Sequence, residues 1–182
     1  MTDLAIEYET HPKVTELIEW IQYCTEFVSL DFTEWDHPHV NGPGLYFAVV
    51  VDCAYGAYAD PMGANQWPTD QCSSVFDSAF PETCQTVGRE QDGGIVVAVD
   101  GMIEEQMVRF RDLGQQTADD VGEIHYQEWM GSRHMSAVET SVRPEVVTTI
   151  TLSEETGRVS LFQDGTVDTV ARSELGGSWR VE

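Results

Sequence analysis

The chain has few basic residues, and this scarcity excludes one class of partner. It contains 9 Lys and Arg against 32 Asp and Glu, a formal net charge of −23 over 182 residues. Lys13 is its one lysine, and the other eight cations are arginines. Binding to nucleic acid phosphates requires cationic patches, so DNA is not an expected partner.

The acidic residues are scattered along the chain rather than gathered in one tail. At about 1 M salt the Debye length falls to roughly 3 Å, and the repulsion between such charges is largely screened. Scattered acidity therefore favours adaptation to a salt-rich cytoplasm over an acidic tail or a DNA-mimicking surface.

The sequence also lacks long apolar runs and paired cysteines. No apolar stretch approaches the roughly 18 residues of a membrane span, and the N-terminus MTDLAIEYETHPK is acidic, unlike a signal peptide. We therefore expect a soluble cytoplasmic protein with no membrane partner. The four cysteines form no C-x-x-C pair, which favours reduced, partly buried thiols over disulfides or a zinc site.

What is present suffices for one folded domain over residues 1–182, because 41% of the residues are apolar. Hydrophobic periodicity predicts an α/β fold, a single domain in which a mixed β-sheet is flanked by helices. The segment 112–126 is polar and receives no element. The predicted elements are helices at 12–30, 69–90 (bent near Pro81) and 133–141, strands at 45–51, 95–99, 102–110, 146–152 and 159–162, and an ordered loop at 54–68.

The first candidate for chemistry is Asp100-Gly101, directly after the apolar run IVVAV. A carboxylate at a strand terminus can bind a hard metal ion or act as a base, and the glycine lets a ligand approach the backbone. Asp-Gly is also an ordinary turn dipeptide, so the pair alone leaves both interpretations open.

The second candidate is the segment Gly131, Ser132, Arg133 and His134, which opens a predicted helix. A helix N-terminus offers free backbone N–H groups and a positive dipole end, and Arg133 and His134 add side-chain donors. The pattern indicates an anion site, although a surface arginine beside a capping histidine also fits it.

The third candidate is the segment Ser153-Glu154-Glu155-Thr156-Gly157, between two predicted strands. It can offer a hydroxyl to a phosphate and a carboxylate to a metal ion. It can equally be a hairpin connection and nothing more.

Taken together, the three segments resemble the diadenylate cyclase family, the DisA N-terminal nucleotide-binding domain. That family carries Asp-Gly-Ala after a buried strand, Gly-Thr/Ala-Arg-His-Arg-x-Ala at a helix start, and Ser-Glu-Glu-x-Gly between strands. This chain has VAVDGM at 97–102, GSRHMSA at 131–137 and LSEETGRVSLFQDG at 152–165, in the same order. The resemblance extends over about 94–168.

Two residues depart from the family pattern. Met102 stands where the family has alanine, and Met135 stands where it has the second arginine of Arg-His-Arg. Met135 removes a cation from the expected triphosphate site. Three arginines are candidates to replace it: Arg109, Arg111 and Arg143.

The resemblance implies condensation of two ATP molecules into cyclic di-AMP with release of two pyrophosphates, in a homodimer or higher homo-oligomer that brings two nucleotides face to face. The implied catalytic residues are Asp100 and Gly101. The implied residues for ATP and its phosphates are Gly131, Ser132, Arg133, His134 and Ser153. A Mg²⁺ or Mn²⁺ ion is expected on Asp100, Glu155 and Glu154.

Two alternatives remain at this point. A catalytically weakened module that binds and senses ATP or cyclic di-AMP is favoured by Met102 and Met135. A DNA-associated protein is disfavoured by the charge, and also by the length, since DNA binding in the family rests on additional domains.

Overall fold

The computed structural model describes residues 7–52, 54–113, 124 and 126–177. Within these ranges the chain forms three α-helices and seven strands, with short 3-10 turns between some of them. The helices are α1 (Pro12–Asp31), α2 (Phe80–Glu90) and α3 (Ser132–Ser141). The strands are β1 (Leu45–Val50), β2 (Ala59–Gln66), β3 (Ile95–Ala98), β4 (Gln106–Phe110), β5 (Val146–Leu152), β6 (Val159–Gln163) and β7 (Thr166–Val170).

Five strands form the main sheet, in the order β3-β1-β5-β6-β7, while β2 and β4 form a separate two-stranded sheet. The β1–β3 pair is parallel, and the other pairs of the main sheet are antiparallel. The predicted α/β fold with a mixed sheet flanked by helices is therefore confirmed.

The two central strands are buried on both faces, which explains their unbroken apolar runs. Alternate residues of β1 enter two different cores. Leu45, Phe47 and Val49 pack in a core with buried residues of α1 and α2. Tyr46, Ala48 and Val50 pack in a second core with residues of α3, β2 and β4. The sheet is thus covered on both sides.

The first helix has the predicted amphipathic character. Pro12 occupies its first turn, and the His11 side chain accepts a hydrogen bond from the Lys13 N–H at 3.3 Å. Its buried residues recur at spacings of three and four and face the first core: Val14, Leu17, Ile21, Cys24 and Val28.

The predictions for 54–90 are partly wrong. Strand β2 lies inside the predicted loop, where its antiparallel pairing with β4 outweighs the low strand propensity of ADPMGANQ. The predicted helix from residue 69 begins only at Phe80, after a run of turns. Pro81 occupies the first turn of α2 and does not bend a longer helix. Proline is tolerated there because the N–H groups of a first turn have no partner within the helix.

In the second half of the chain, the observed strands differ from the predicted ones in two places. The predicted strand 102–110 is ordered as β4 only from Gln106, and Met102 and Ile103 form isolated bridges before it. Strand β7, which was not predicted, follows a turn in which Asp164 and Gly165 both have positive φ. The unassigned segment 112–126 lies mostly outside the described residues.

Among the described residues, no helix is long and apolar enough to cross a membrane. Cys24, Cys72 and Cys84 are free and buried, as expected of reduced thiols. The fourth, Cys53, lies outside the described residues.

Candidate functional site

A cavity of about 580 Å³ opens where β5 ends, α3 begins and β3 starts. These chain segments meet because β5 runs antiparallel to β1, which places Leu152 beside Leu45, while β3 runs parallel to β1. Seven predicted site residues line the cavity: Gly131, Ser132, Arg133, His134, Ser153, Glu154 and Glu155. The second and third sequence motifs therefore converge on one site.

Arg133 is one of three arginines that line this cavity. Its guanidinium lies 3.7 Å from Oδ1 of Asp92 and 3.7 Å from Oε2 of Glu154, and it donates to the Leu152 carbonyl at 3.4 Å. These contacts are longer than a well-formed charge-assisted hydrogen bond of about 2.7–2.9 Å. The guanidinium is held between two carboxylates without a close partner, so an incoming anion can compete for it.

Gly44, which sequence reasoning missed, makes room for Arg133. A Cβ atom at this position would lie 2.3 Å from Nη1 of Arg133. Backbone and guanidinium are therefore packed so closely that any side chain here forces the arginine to move. The signal in the sequence was a glycine beside a proline just before a buried strand, which reads equally well as a turn.

His134 is buried in the wall of the cavity, with only 6% of its surface exposed. Burial and the charges of Arg133 and Arg158 lower the pKa of His134 to about 4, so the ring is neutral at pH 7. Its Nδ1 accepts from the Gly131 N–H at 3.4 Å, which assigns the proton to Nε2. Within the described residues this Nε2 is buried and has no hydrogen-bond partner, so the ring keeps one unused donor.

The Ser153–Gly157 loop is a tight turn that connects the antiparallel strands β5 and β6. Ser153 Oγ accepts from the N–H groups of Glu155 at 3.4 Å and Thr156 at 3.3 Å, and the Gly157 N–H closes the turn on the Ser153 carbonyl at 2.9 Å. Gly157 has φ +71°, a conformation that favours glycine. This turn presents Glu154 and Glu155 at the cavity with exposed carboxylates.

Asp100 and Gly101 do not line the cavity. They lie beyond the opposite end of β3, whose four residues extend over roughly 10 Å. Asp100 is exposed and Oδ1 accepts from the Met102 N–H at 3.0 Å, as in an Asx turn. Gly101 has φ +94°, and a Cβ there would lie 2.9 Å from the Phe76 ring. One chain therefore does not bring the first motif to the other two.

The expected metal ligands are separated in the same way. Within the described part of the chain, no cluster of three or more His, Cys, Asp and Glu residues is placed to hold a metal ion. Glu154 and Glu155 are at the cavity, whereas Asp100 is at the other end of β3. A single chain thus does not fit the expected ligand set.

The three arginines considered as substitutes for Met135 differ in position. Arg109 lines the cavity and is exposed. Arg111 instead pairs with Asp60 at 2.6 Å, and Arg143 lies over the Tyr58 ring at 5.3 Å and donates to the Arg111 carbonyl. Only the first is available to a ligand in the cavity.

Further cavity residues were not found from the sequence. Tyr46, on β1, donates to Thr140 Oγ1 at 3.1 Å and so ties α3 to the sheet. Trp129 and Arg158 stack at the cavity wall, with the guanidinium carbon 4.7 Å from the indole centroid. The one sequence signal was the Asp92-Gly93-Gly94 turn before a buried strand. Tyr46 and Trp129 belong to no motif, and Arg158 lies in the matched stretch 152–165 without a role assigned to it.

No protein-family model matches the chain, and no curated protein matches it. Among solved structures it is similar to a hypothetical membrane spanning protein from Bacillus cereus, with a TM-score of 0.52 and 15% identity over 86% of this chain. The match spans 64% of that protein's length. The chain is also similar to a double mutant of DacA from Staphylococcus aureus, with a TM-score of 0.49 and 15% identity over 92% of this chain and 97% of that one. The first of these likenesses shows a shared fold.

Proposed function

We propose that this chain is a diadenylate cyclase, which condenses two ATP molecules into cyclic di-AMP and two pyrophosphates. The observation that supports the proposal is the convergence of two sequence motifs on one cavity. Gly131–His134 and Ser153–Glu155 are separated along the chain and share no regular element, yet both line the same cavity. Their chemistry, an arginine and a helix N-terminus, suits a triphosphate.

In this proposal the cavity binds the phosphates of one ATP. Arg133 exchanges its two long carboxylate contacts for phosphate oxygens, which its planar guanidinium can engage in pairs. His134, neutral at pH 7, donates from Nε2 to a phosphate oxygen or to a water that bridges to one. Ser132 and the first N–H groups of α3 complete the anion site, and Ser153 holds the loop that faces it.

Asp100 reaches such a site only from a second copy of the chain. Because this residue and the cavity lie at opposite ends of β3, a two-fold antiparallel pair would set each Asp100 against the partner's cavity. Phe76 and Met102, exposed at 54% and 49%, flank the Asp100 turn and would be buried by such a contact.

The chemistry then follows from this placement. The 3′-hydroxyl oxygen of one ATP forms a bond to the α-phosphorus of the other, and the bond to pyrophosphate breaks. The hydroxyl proton passes toward the Asp100 carboxylate and on to solvent. The second transfer repeats the step in the opposite direction and closes the ring. The main contribution of the protein is to align the reactants and to offset phosphate charge.

We propose that the divalent ion is also shared between copies. The donors are Asp100 of one copy and Glu154 or Glu155 of the other, together with phosphate oxygens, and hard oxygen donors suit Mg²⁺ or Mn²⁺. When bound, the ion would neutralise phosphate charge.

The alternative is a module that binds ATP or cyclic di-AMP without turnover. The specific feature in its favour is Met135, which leaves Arg133 as the only arginine of the helix-start motif. A single assay separates the two functions: the protein is incubated with labelled ATP and Mn²⁺ in molar KCl, and products are resolved by mass spectrometry. Cyclic di-AMP supports the cyclase, whereas bound but unconverted ATP supports the sensor.

Protein concentration offers a second test of the shared site. We expect specific activity to fall as the protein is diluted through its dimerisation range, with light scattering reporting mass at each point. Constant specific activity in samples that contain only monomers would reject a site built from two chains.

A further inference from the structure

Besides Arg133, the cavity lining carries Arg158, which directly follows the Ser153–Gly157 motif and has no role assigned by the resemblance. Arg158 lines the cavity and is half-buried, and its guanidinium carbon lies 4.7 Å from the centroid of the Trp129 indole. One side-chain hydrogen bond, from Nη1 to Thr169 Oγ1 at 3.4 Å, anchors it from the sheet side. A guanidinium has five N–H donors, so most of its capacity is left for another partner.

The partner that holds Arg158 differs in kind from the partners that hold Arg133. Arg133 lies between two carboxylates. Within the described residues, no carboxylate oxygen lies within 4.0 Å of the Arg158 guanidinium. An indole face attracts a cation and fixes its position without neutralising its charge. Arg158 is therefore held in place and keeps its full charge at the cavity, in a chain with 32 acidic residues and 9 basic ones.

The charge of Arg158 also reaches the predicted phosphate site. The Trp129 indole, on which Arg158 stacks, contacts the His134 ring edge-on with centroids 5.0 Å apart. The positive charge of Arg158 is one of the causes that lower the pKa of His134. The two guanidiniums of Arg133 and Arg158 thus act on the same buried ring.

We propose that Arg158, held over Trp129, is a second anion-binding residue of the cavity, and that it supplies the cation that Met135 does not. The ligand it takes is a phosphate group of a polyphosphate, bound at the same time by Arg133. The identification of that polyphosphate as ATP rests on the proposed function, whereas the binding of a di- or triphosphate does not. Met135 itself is exposed at 40% and does not line the cavity, so the replacement cation comes from a different element.

Titration calorimetry in molar KCl tests the proposal with inorganic pyrophosphate and with ATP as separate probes. We expect Arg158→Gln to weaken pyrophosphate binding roughly ten-fold, the scale of one charge-assisted hydrogen-bonding partner. Arg158→Lys keeps the charge and should retain more affinity. Trp129→Leu should weaken binding less than Arg158→Gln, because the cation remains but loses its support.

The matched control is Arg89→Gln. Arg89 also places its guanidinium over an aromatic ring, 5.9 Å from the centroid of Phe32, but it is exposed on α2 and does not line the cavity. Its removal should leave pyrophosphate affinity unchanged. Circular dichroism of every variant in the same buffer confirms that the fold is retained, and Arg158→Lys provides the comparison if Arg158→Gln does not fold.

The outcomes separate this inference from the proposed function. Pyrophosphate binding that depends on Arg158, in a protein that makes no cyclic di-AMP, supports the second anion site and rejects the cyclase. Formation of cyclic di-AMP with an Arg158→Gln variant that binds and turns over like wild type rejects the second anion site alone. If the wild-type protein binds neither pyrophosphate nor ATP, both are overturned.

Discussion

The two ends of the main sheet differ in how far other elements enclose them. Where β5 ends and β3 starts, α3 and the Ser153–Gly157 loop enclose a cavity with a buried histidine and three arginines in its lining. At the other end of β3, the Asp100-Gly101 turn is open to solvent, and two large apolar side chains beside it are exposed. One end forms a lined cavity, and the other is an exposed surface.

The groups expected to bind phosphate therefore lie at a different end of the sheet from the carboxylate expected to assist the reaction. Guanidinium groups and a helix N-terminus, which are groups that can bind phosphate, line the cavity within one chain. The carboxylate expected to assist the reaction is not at that site. In the proposed function the protein binds ATP as a monomer and reacts only as a pair, so a change at either end of the sheet should have a different effect.

The largest expected effect comes from Asp100→Asn, which should abolish product formation while ATP affinity stays within about two-fold of wild type. The amide keeps the shape of the side chain but loses the negative charge that draws a proton and holds a metal ion. Arg133→Ala is the matched opposite variant, since it should weaken ATP binding at the cavity.

Mixing these two variants distinguishes a shared site from one built within a single chain. A mixed pair has one intact site, formed by the cavity of the Asp100→Asn chain and Asp100 of the Arg133→Ala chain. When the ATP concentration is high enough to fill the weakened Arg133→Ala cavity as well, the mixed pair should join two ATP molecules into a linear dinucleotide but fail to close the ring. A mixture with no product at all would place the whole site within one chain.

Low salt should disrupt both ends at once. At a net charge of −23, self-repulsion is screened in molar KCl and grows as the Debye length increases toward about 30 Å at 0.01 M salt. We expect most of the helical circular dichroism signal to be lost on dialysis into dilute buffer. A neutral osmolyte at matched osmolality should not restore it, and an unfolding transition unchanged at low ionic strength would contradict the expectation.

Gly44→Ala should act on the cavity end alone. The new Cβ would lie 2.3 Å from Nη1 of Arg133, so the guanidinium must shift out of its position. We expect ATP affinity to fall roughly ten-fold, the scale of one displaced charge-assisted contact. Gly56→Ala is the control, because a Cβ at that position has no atom within 4 Å. Equal affinities in the two variants would mean that the arginine can rearrange without loss.

His134 should make stability depend on pH in a defined window. An unfolded histidine takes up its proton near pH 6.5, whereas burial and two nearby guanidiniums hold the pKa of His134 at about 4. Between these values the unfolded state binds more protons, so the free energy of unfolding falls as the pH is lowered from about 6.5 to about 4, by on the order of 3 kcal/mol.

Urea unfolding in molar KCl at several pH values measures this effect. Carboxylates also titrate near the lower limit of the window, so the informative quantity is the difference between wild type and His134→Gln, which keeps the carboxylates and removes the histidine. We expect that difference to change across the window. Parallel stability profiles would show that His134 titrates normally.

The parts of the fold that sequence could predict were those buried on a regular face. The apolar runs of β1 and β5 and the periodic stripe of α1 were predicted because burial fixes the spacing of their side chains. Strand β2 was missed because it is largely exposed and contains Pro61, Gly63 and Asn65, so its pairing with β4 leaves no pattern.

The cavity residues likewise divide into those that the sequence could predict and those that it could not. Short motifs marked the helix start at Gly131 and the turn at Ser153, because backbone geometry there depends on local sequence. No local pattern marks Trp129, and the matched stretch 152–165 contains Arg158 without showing that it stacks on that indole, which is a tertiary contact. Nor could spacing show that Asp100 lies away from the cavity, since this depends on the direction of β3 within the sheet.

The smallest expected effect is that of Met135→Arg, which restores the arginine of the family pattern. If that cation acted on the cavity of its own chain, the variant should bind ATP more tightly than wild type. Met135 is exposed and does not line the cavity, whose second fixed cation is Arg158. We therefore expect ATP affinity within about two-fold of wild type, measured by calorimetry beside Met135→Gln, a neutral side chain of similar length. A ten-fold gain specific to the arginine variant would show that residue 135 reaches the bound phosphates after all, and that the cavity alone does not define the anion site.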